Sequence, residues 1–287
     1  MGKDLKSRLS KEELIRLYKA EGQSLADIAK VYGVSRTAVM KHCNILGIER
    51  RGRGEARVLA QKKAKVGNQR YCAINEAFFS SWSPEMAYVL GLMMTDGCIS
   101  KTKNGSYRIS LCINDGDLLR NVVKTMGSDH TVTESKYQKG MNVFIFGREK
   151  IAQDLLRLGM KPRKSLDLEF PNIPKEYLRD FIRGVFDGDG CVYFLKTKYP
   201  RLNTSFVSGS KAFIYGLEKA LRALGMPAAK INTYHHKNTY YTLRYAYKNS
   251  LKLFKIMYEE MKGDMFLLRK FNKFKIIIDS NSCNDPP

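Results

Sequence analysis

Two ten-residue stretches, Tyr88–Gly97 (YVLGLMMTDG) and Phe181–Gly190 (FIRGVFDGDG), constrain this chain more than any other feature. Each is an apolar run with an internal glycine, Gly91 or Gly184, and each ends in Asp-Gly. A helix with a glycine on its contact face can meet another helix at backbone distance, and Asp-Gly stops it on a carboxylate. A chain that carries the phrase twice is expected to pair two such helices and to bring two acidic ends together.

The flanks repeat as well. Ser83 before Pro84 and Glu85 predicts a helix start at Pro84, and Pro174 with Glu176 predicts the second. Each helix is followed by period-two alternation, Tyr107 to Ile113 and Thr204 to Val207. Amphipathic helices come next, ending in VVKTMG (residues 122–127) and LRALG (residues 221–225). A second strand-to-helix switch follows in MNVFIFGREKIAQDLLRLG and YYTLRYAYKNSLKLFKIMYEE, and then a basic pair, Arg163-Lys164 or Arg269-Lys270. The order of landmarks predicts an α+β fold of two pseudo-symmetric αββαββα units, residues 75–172 and 173–287, packed through the two glycine-bearing helices.

Ahead of the repeat, residues 1–48 read as a small all-α module. Ser10 with Glu13 predicts a capping box opening a helix that runs to about Ala20. Gly22 breaks it, Ser24 caps a second helix, and Ser35 caps a third that ends at Gly47. The stretch SLADIAKVYGVSRTAVMKHCNILGI resembles a helix-turn-helix domain, with Ala29 at the helix crossing. That resemblance places Arg36, Thr37, Met40, Lys41 and Asn44 of the third helix toward DNA, with His42 packed or solvent-facing rather than a ligand. Residues 49–74 read as a basic linker, in which Arg50, Arg51 and Arg53 are candidates for phosphate or minor-groove contact.

Charge points the same way. Fifty Lys and Arg against 28 Asp and Glu give a net charge of +22, more than solubility requires, so a polyanion is the expected partner. The absence of a long apolar run predicts a soluble, intracellular protein with no membrane partner. The six cysteines form no CxxC pair and are read as reduced and structural, with no zinc.

The paired motifs resemble the LAGLIDADG homing endonucleases in their single-chain, two-motif form, through VLGLMMTDG at Val89–Gly97 and IRGVFDGDG at Ile182–Gly190. The first copy departs at its sixth letter, Met94. The resemblance implies that Asp96 and Asp189 carry the metal, Mg²⁺ or Mn²⁺, with Gly97 and Gly190 beside them. Lys164 and Lys270 supply a basic group, Asn114 and Ser208 orient water, and Asp187 is incidental. It also implies double-stranded DNA with a long target site as partner. Hydrolysis would run across the minor groove, leaving 3′ overhangs, and the protein would be a monomer built as a pseudo-dimer in a bacterial or phage cytoplasm. On the strands, alternation leaves Arg108 and Ser110 outward, with Tyr193, Lys196, Arg201, Asn203, Ser205 and Arg244 as counterparts for DNA contact. The ends of the chain carry no His-Asn splicing pair, so an intron-encoded or free-standing form is expected. A non-cleaving DNA-binding transcription regulator and an RNA-binding intron maturase are the competing readings.

Overall fold

A computed structural model describes residues 5–52, 55, 59, 72–196, 201–259, 261 and 265–282. The chain divides into two compact units, Met1–Tyr71 and Cys72–Pro287.

The N-terminal unit contains α1 (Leu5–Arg8), α2 (Lys11–Ile15) continuing into a π-helical stretch at Arg16–Ala20, α3 (Leu25–Val31) and α4 (Arg36–Ile45). Serines cap three of these starts: Ser10, Ser24 and Ser35 each accept a hydrogen bond from the amide three residues on. The reciprocal capping box belongs to Ser24 and Asp27. At Ser10 only half of it forms, because Glu13 turns its carboxylate to Arg16, at 2.7 Å. Leu9, Leu14, Ile28, Val39 and Cys43 are sealed in this unit's own core, and His42 is buried with Nε2 2.8 Å from the Leu9 carbonyl oxygen.

The C-terminal unit opens with α5 (Pro84–Asp96), whose start is fixed by the Ser83 hydroxyl accepting from the Met86 amide. It runs without a loop into β1 (Gly97–Lys101), which pairs antiparallel with β2 (Tyr107–Ile113). Then come α6 (Gly116–Thr125), β3 (Thr133–Glu134), β4 (Asn142–Phe146) and α7 (Glu149–Arg157). The second half repeats this as α8 (Leu178–Asp189), β5 (Gly190–Leu195), β6 (Arg201–Ser208), α9 (Lys211–Ala223), β7 (Ile231–His235), β8 (Thr239–Tyr245) and α10 (Tyr247–Tyr258). A final helix, α11 (Leu268–Ser282), is added. Two four-stranded antiparallel sheets result, β1-β2-β4-β3 and β5-β6-β8-β7. Gly97 faces Leu111 in one sheet and Gly190 faces Phe206 in the other, so the two registers are equivalent.

Alternation along β2 is as the sequence predicts: Ile109, Leu111 and Ile113 are buried while Arg108 is exposed. The start of the second long helix differs. Pro174 opens a 3₁₀ turn at Lys175–Tyr177, and the α-helix begins at Leu178. Tyr177 holds the N-cap position that Ser83 holds in the first half, and its side chain makes no cap hydrogen bond. The Tyr177 amide bonds instead to the Pro174 carbonyl at 3.0 Å, the tighter turn satisfying what a cap would. No described helix is long and apolar enough to cross a membrane.

Candidate active site

Helices α5 and α8 pack along each other through their glycines. A methyl group at Gly91 would lie 2.9 Å from Gly184 Cα and 2.8 Å from the Val185 nitrogen, so the two backbones are in direct contact. The same closeness reaches the helix ends, where a methyl group at Gly188 would lie 2.8 Å from Asp96 Oδ2. Asp96 and Asp189, the last residues of the two helices, therefore converge. Gly97 and Gly190 make the turn from helix to strand in matching conformations, φ −81° and ψ 153° against φ −78° and ψ 156°. A methyl group at either would come within 2.8 Å of its own helix, at Met93 Cα or Phe186 Cα. Glycine at these two places follows from packing, since a carbonyl oxygen is available on any residue.

The convergence has an electrostatic signature. Burial, then the charge of Asp189, pushes the Asp96 carboxyl up to about 6. Asp189 is also raised by loss of water, against the opposing pull of Lys164 and then Lys270. Its side chain is open to solvent yet crowded by protein, the condition of a group at the wall of a cavity. That cavity, about 210 Å³, is lined by Thr95, Lys164, Ser165, Asp189, Ser208 and Gly209 among others.

The two lysines are buried beside the carboxylates, each on the end of one helix. Lys164 Nζ donates to the Thr95 carbonyl at 2.6 Å. Lys270 Nζ donates to the carbonyls of Phe186 at 2.6 Å and Asp187 at 2.9 Å. Each ammonium thus meets the unpaired carbonyls at a helix C-terminus, where a cation is favoured. Burial lowers both: Lys164 falls despite Asp189 and Asp96, and Lys270 drops to about 8 despite Asp187. In each basic pair the arginine, Arg163 or Arg269, stays exposed. Arg163 takes a left-handed conformation, φ 57°, which for a non-glycine residue is strained, and the chain turns there to send Lys164 inward.

Asp187 is not incidental. It is buried, accepting from the Tyr88 hydroxyl and the Leu267 amide at 2.8 Å each, and burial lifts its carboxyl to about 6. The hydrogen bond from Tyr88 joins the two halves. A signal for it was present in the sequence: the copies differ at their first letter, Tyr88 against Phe181, and in compensation at Asp187 against Met94. Arg183 was missed as well. It is buried against Tyr88 and donates to Asp180 at 2.7 Å and to the carbonyls of Met257 and Met265 at 2.9 and 3.0 Å. Replacing Tyr88 by Phe is expected to cost about 1–3 kcal/mol by taking one donor from a buried carboxylate. The loss should be smaller below about pH 6, where Asp187 is protonated, as urea unfolding at two pH values would show.

The strand candidates spread over the outward faces of the sheets. Arg108, Lys196, Arg201 and Arg244 are exposed, and Ser110, Tyr193 and Asn203 are partly so. Arg244 lies 5.4 Å over the Tyr234 ring. Ser205 shares its register with exposed Cys191 and Arg244 but is itself buried, because its short side chain lies below those neighbours. It cannot contact a duplex as expected. Asn114 is exposed after β2, and Ser208 lines the cavity.

In the N-terminal unit Arg36, Thr37, Lys41 and Asn44 form an exposed face of α4 and Arg50 is exposed, whereas Met40 is half-buried against the core. Arg51 is also corrected. Its guanidinium donates to the carbonyls of Tyr18, Gly22 and Gln23 and stacks 4.0 Å over the Tyr18 ring, so it ties the unit together instead of reaching outward. Arg53 lies outside the described residues.

Residues 176–257 match the sequence model of the LAGLIDADG-like domain. A probable translation initiation factor IF-2 of Methanocaldococcus jannaschii is 29% identical over 180 residues, which make up 58% of this chain and 14% of the factor. The chain thus spans about one seventh of that relative's length. An uncharacterised protein of the same organism is 23% identical over 208 residues, 69% of this chain and 73% of its own. Among solved structures, mesophilic variants of the homing endonuclease I-DmoI align over 65% of this chain and 98% of theirs, with TM-score 0.46 and 17% identity. A mutant of I-SmaMI aligns over 71% and 93%, with TM-score 0.49 and 11% identity. Residues 176–257 thus match a LAGLIDADG-like domain, and the first half repeats the same helix, sheet register and acidic helix end.

Proposed function

We propose that this protein is a divalent-metal-dependent endonuclease that cuts double-stranded DNA at a long target site. The observation that carries this reading is the convergence of Asp96 and Asp189 at the paired helix ends, each close to a buried lysine. The charge of Asp189 raises the cost of ionising Asp96, and Asp189 lines a cavity, an arrangement that fits a divalent cation. The donor set is hard oxygen, which suits Mg²⁺ or Mn²⁺. Asp96 and Asp189 would hold the ion, which when bound acidifies water and offsets charge on a phosphate.

The chain's own residues do the rest. Lys164 and Lys270 keep positive charge at Nζ beside the carboxylates, where charge grows on the phosphate oxygens during hydrolysis. Ser208, on the cavity wall, offers a hydroxyl to orient water. Arg108, Ser110, Tyr193, Lys196, Arg201, Asn203 and Arg244 give the outward sheet faces a basic, hydrogen-bonding surface for a duplex. In the N-terminal unit, a helix-turn-helix reading sets Arg36, Thr37, Lys41 and Asn44 in a major groove, and the net charge of +22 supports a polyanionic partner.

The test is cleavage of a randomised duplex library, with and without Mg²⁺ or Mn²⁺, followed by sequencing of the ends. Defined, metal-dependent cuts with 3′ overhangs are expected, and an uncut library under every ion would overturn the reading. The pH profile is a second check. Lys270 is protonated below about pH 8, so cutting is expected to decline above that pH, and Lys270→Arg should move the decline beyond the measurable range.

A further inference from the structure

Away from the carboxylate pair, Cys72, Asp129 and His130 bring a thiol, a carboxylate and an imidazole to one place, with their ligand atoms within 4.8 Å of one another. We propose that they form a binding site for a transition-metal ion of the Zn²⁺ type, separate from the hard-oxygen pair at Asp96 and Asp189. Zn²⁺ takes this mixture of thiolate, imidazole and carboxylate, and a three-residue set leaves one position for water. The reading of the cysteines as metal-free from their spacing does not extend to Cys72, because its partners lie far along the chain and only folding unites them.

The surroundings prepare each group for the role. The His130 ring stands edge-on to Phe144 at 5.6 Å and Phe146 at 6.2 Å, with Nδ1 2.7 Å from Ser128 Oγ, so its orientation is fixed. Cys72 is delivered by backbone pairing. The Asn75 amide bonds to the Met126 carbonyl at 3.0 Å, the Asp129 amide bonds to the Ala73 carbonyl at 3.3 Å, and Arg148 donates to the Cys72 carbonyl at 2.6 Å.

The fold alone does not require this cluster. The amides of Gly127 and Ser128 bond back to Lys124 and Val123, and those of Gly225 and Met226 bond back to Arg222 and Leu221 in the same way. Asp129-His130 therefore correspond to Pro227-Ala228 in the second half, where no ligand exists. A feature of the shared architecture would appear twice. An ion at this site joins the residue that opens the unit to the turn after α6, closing a long stretch of chain into a loop and stabilising the first half.

The test uses the full chain, stripped with a chelator and then titrated with Co²⁺ and Zn²⁺ while excess Mg²⁺ occupies the other carboxylates. One equivalent should bind, with a thiolate-to-cobalt absorption band and a rise in Tm on adding Zn²⁺. Cys72→Ser should abolish the band, and both Cys72→Ser and His130→Gln should weaken Zn²⁺ binding by more than about a hundredfold. Cys98→Ser and Cys191→Ser should leave the band unchanged, and circular dichroism of each variant establishes that it is folded. Absence of the band in the parent protein, or its survival in Cys72→Ser, overturns the proposal.

Discussion

Replacing Asp96 by Asn is expected to abolish DNA cutting while making the protein more stable. A carboxylate that holds an ion cannot be substituted by an amide without losing the ion's charge compensation, so the fall in cutting should be on the order of a thousandfold or more. The stability change has the opposite sign. Burial and then the charge of Asp189 push the Asp96 carboxyl from its ordinary range up to about 6, so its ionised form is disfavoured by folding. Two pKa units correspond to about 3 kcal/mol, and the partial exposure of the side chain reduces this to about 1–2 kcal/mol.

The pH window follows from the same shift. Below about pH 4 both states are protonated and Asp96 costs nothing. Between about 4 and 6 the folded state binds the extra proton, so stability falls as pH rises, and above about 6 the full cost is present. Asp96→Asn should remove this slope and, at neutral pH, raise Tm by about 2–4 °C per kcal/mol recovered. Asp189→Asn should behave alike in activity, with a smaller gain in Tm because Asp189 is the more exposed. An Asp96→Asn protein that still cuts would reduce the carboxylate to a helix stop, and one that is less stable at neutral pH would show that the two acids do not crowd each other.

The paired helices, the order of helices and strands and the acidic ends were legible because each is written in local pattern. Gly91 and Gly184 sit mid-helix, period-two alternation marks β2, and Asp-Gly closes both helices. What escaped is what depends on partners distant in sequence. Arg183 is a charged residue inside an apolar helix, and it is buried because the carbonyls of Met257 and Met265 arrive to receive it. Asp187 was dismissed by comparison with Met94, although its true counterpart is Tyr88 on the other helix. The comparison between copies failed there because a pseudo-symmetric interface can meet a polar need once, from one residue in each copy. Ser205 followed the strand pattern and pointed outward, but period alone does not say whether taller neighbours cover a short side chain.

Gly91→Ala should destabilise the C-terminal unit by about 3 kcal/mol or more, the upper part of the range for inserting a methyl group into a packed core. The reason is the neighbour: the added carbon would meet Gly184 Cα and the Val185 nitrogen, and backbone in a buried helix cannot rotate away as a side chain can. Gly33→Ala provides the contrast. Gly33 has φ 64° and open space around it, so its cost is conformational, about 1–2 kcal/mol, and falls on the N-terminal unit. Denaturant unfolding would separate the two. In Gly91→Ala the helices can coexist only by moving apart, and this moves Asp96 from Asp189. A displacement of about 1 Å at reacting groups costs on the order of a hundredfold in rate, so cutting by the folded fraction should fall as well. Stability and activity thus drop together in Gly91→Ala, whereas Asp96→Asn sets them against each other. If Gly91→Ala were as stable as the parent, the glycine contact would not be what holds the helices together, and the convergence of the two carboxylates would need another cause.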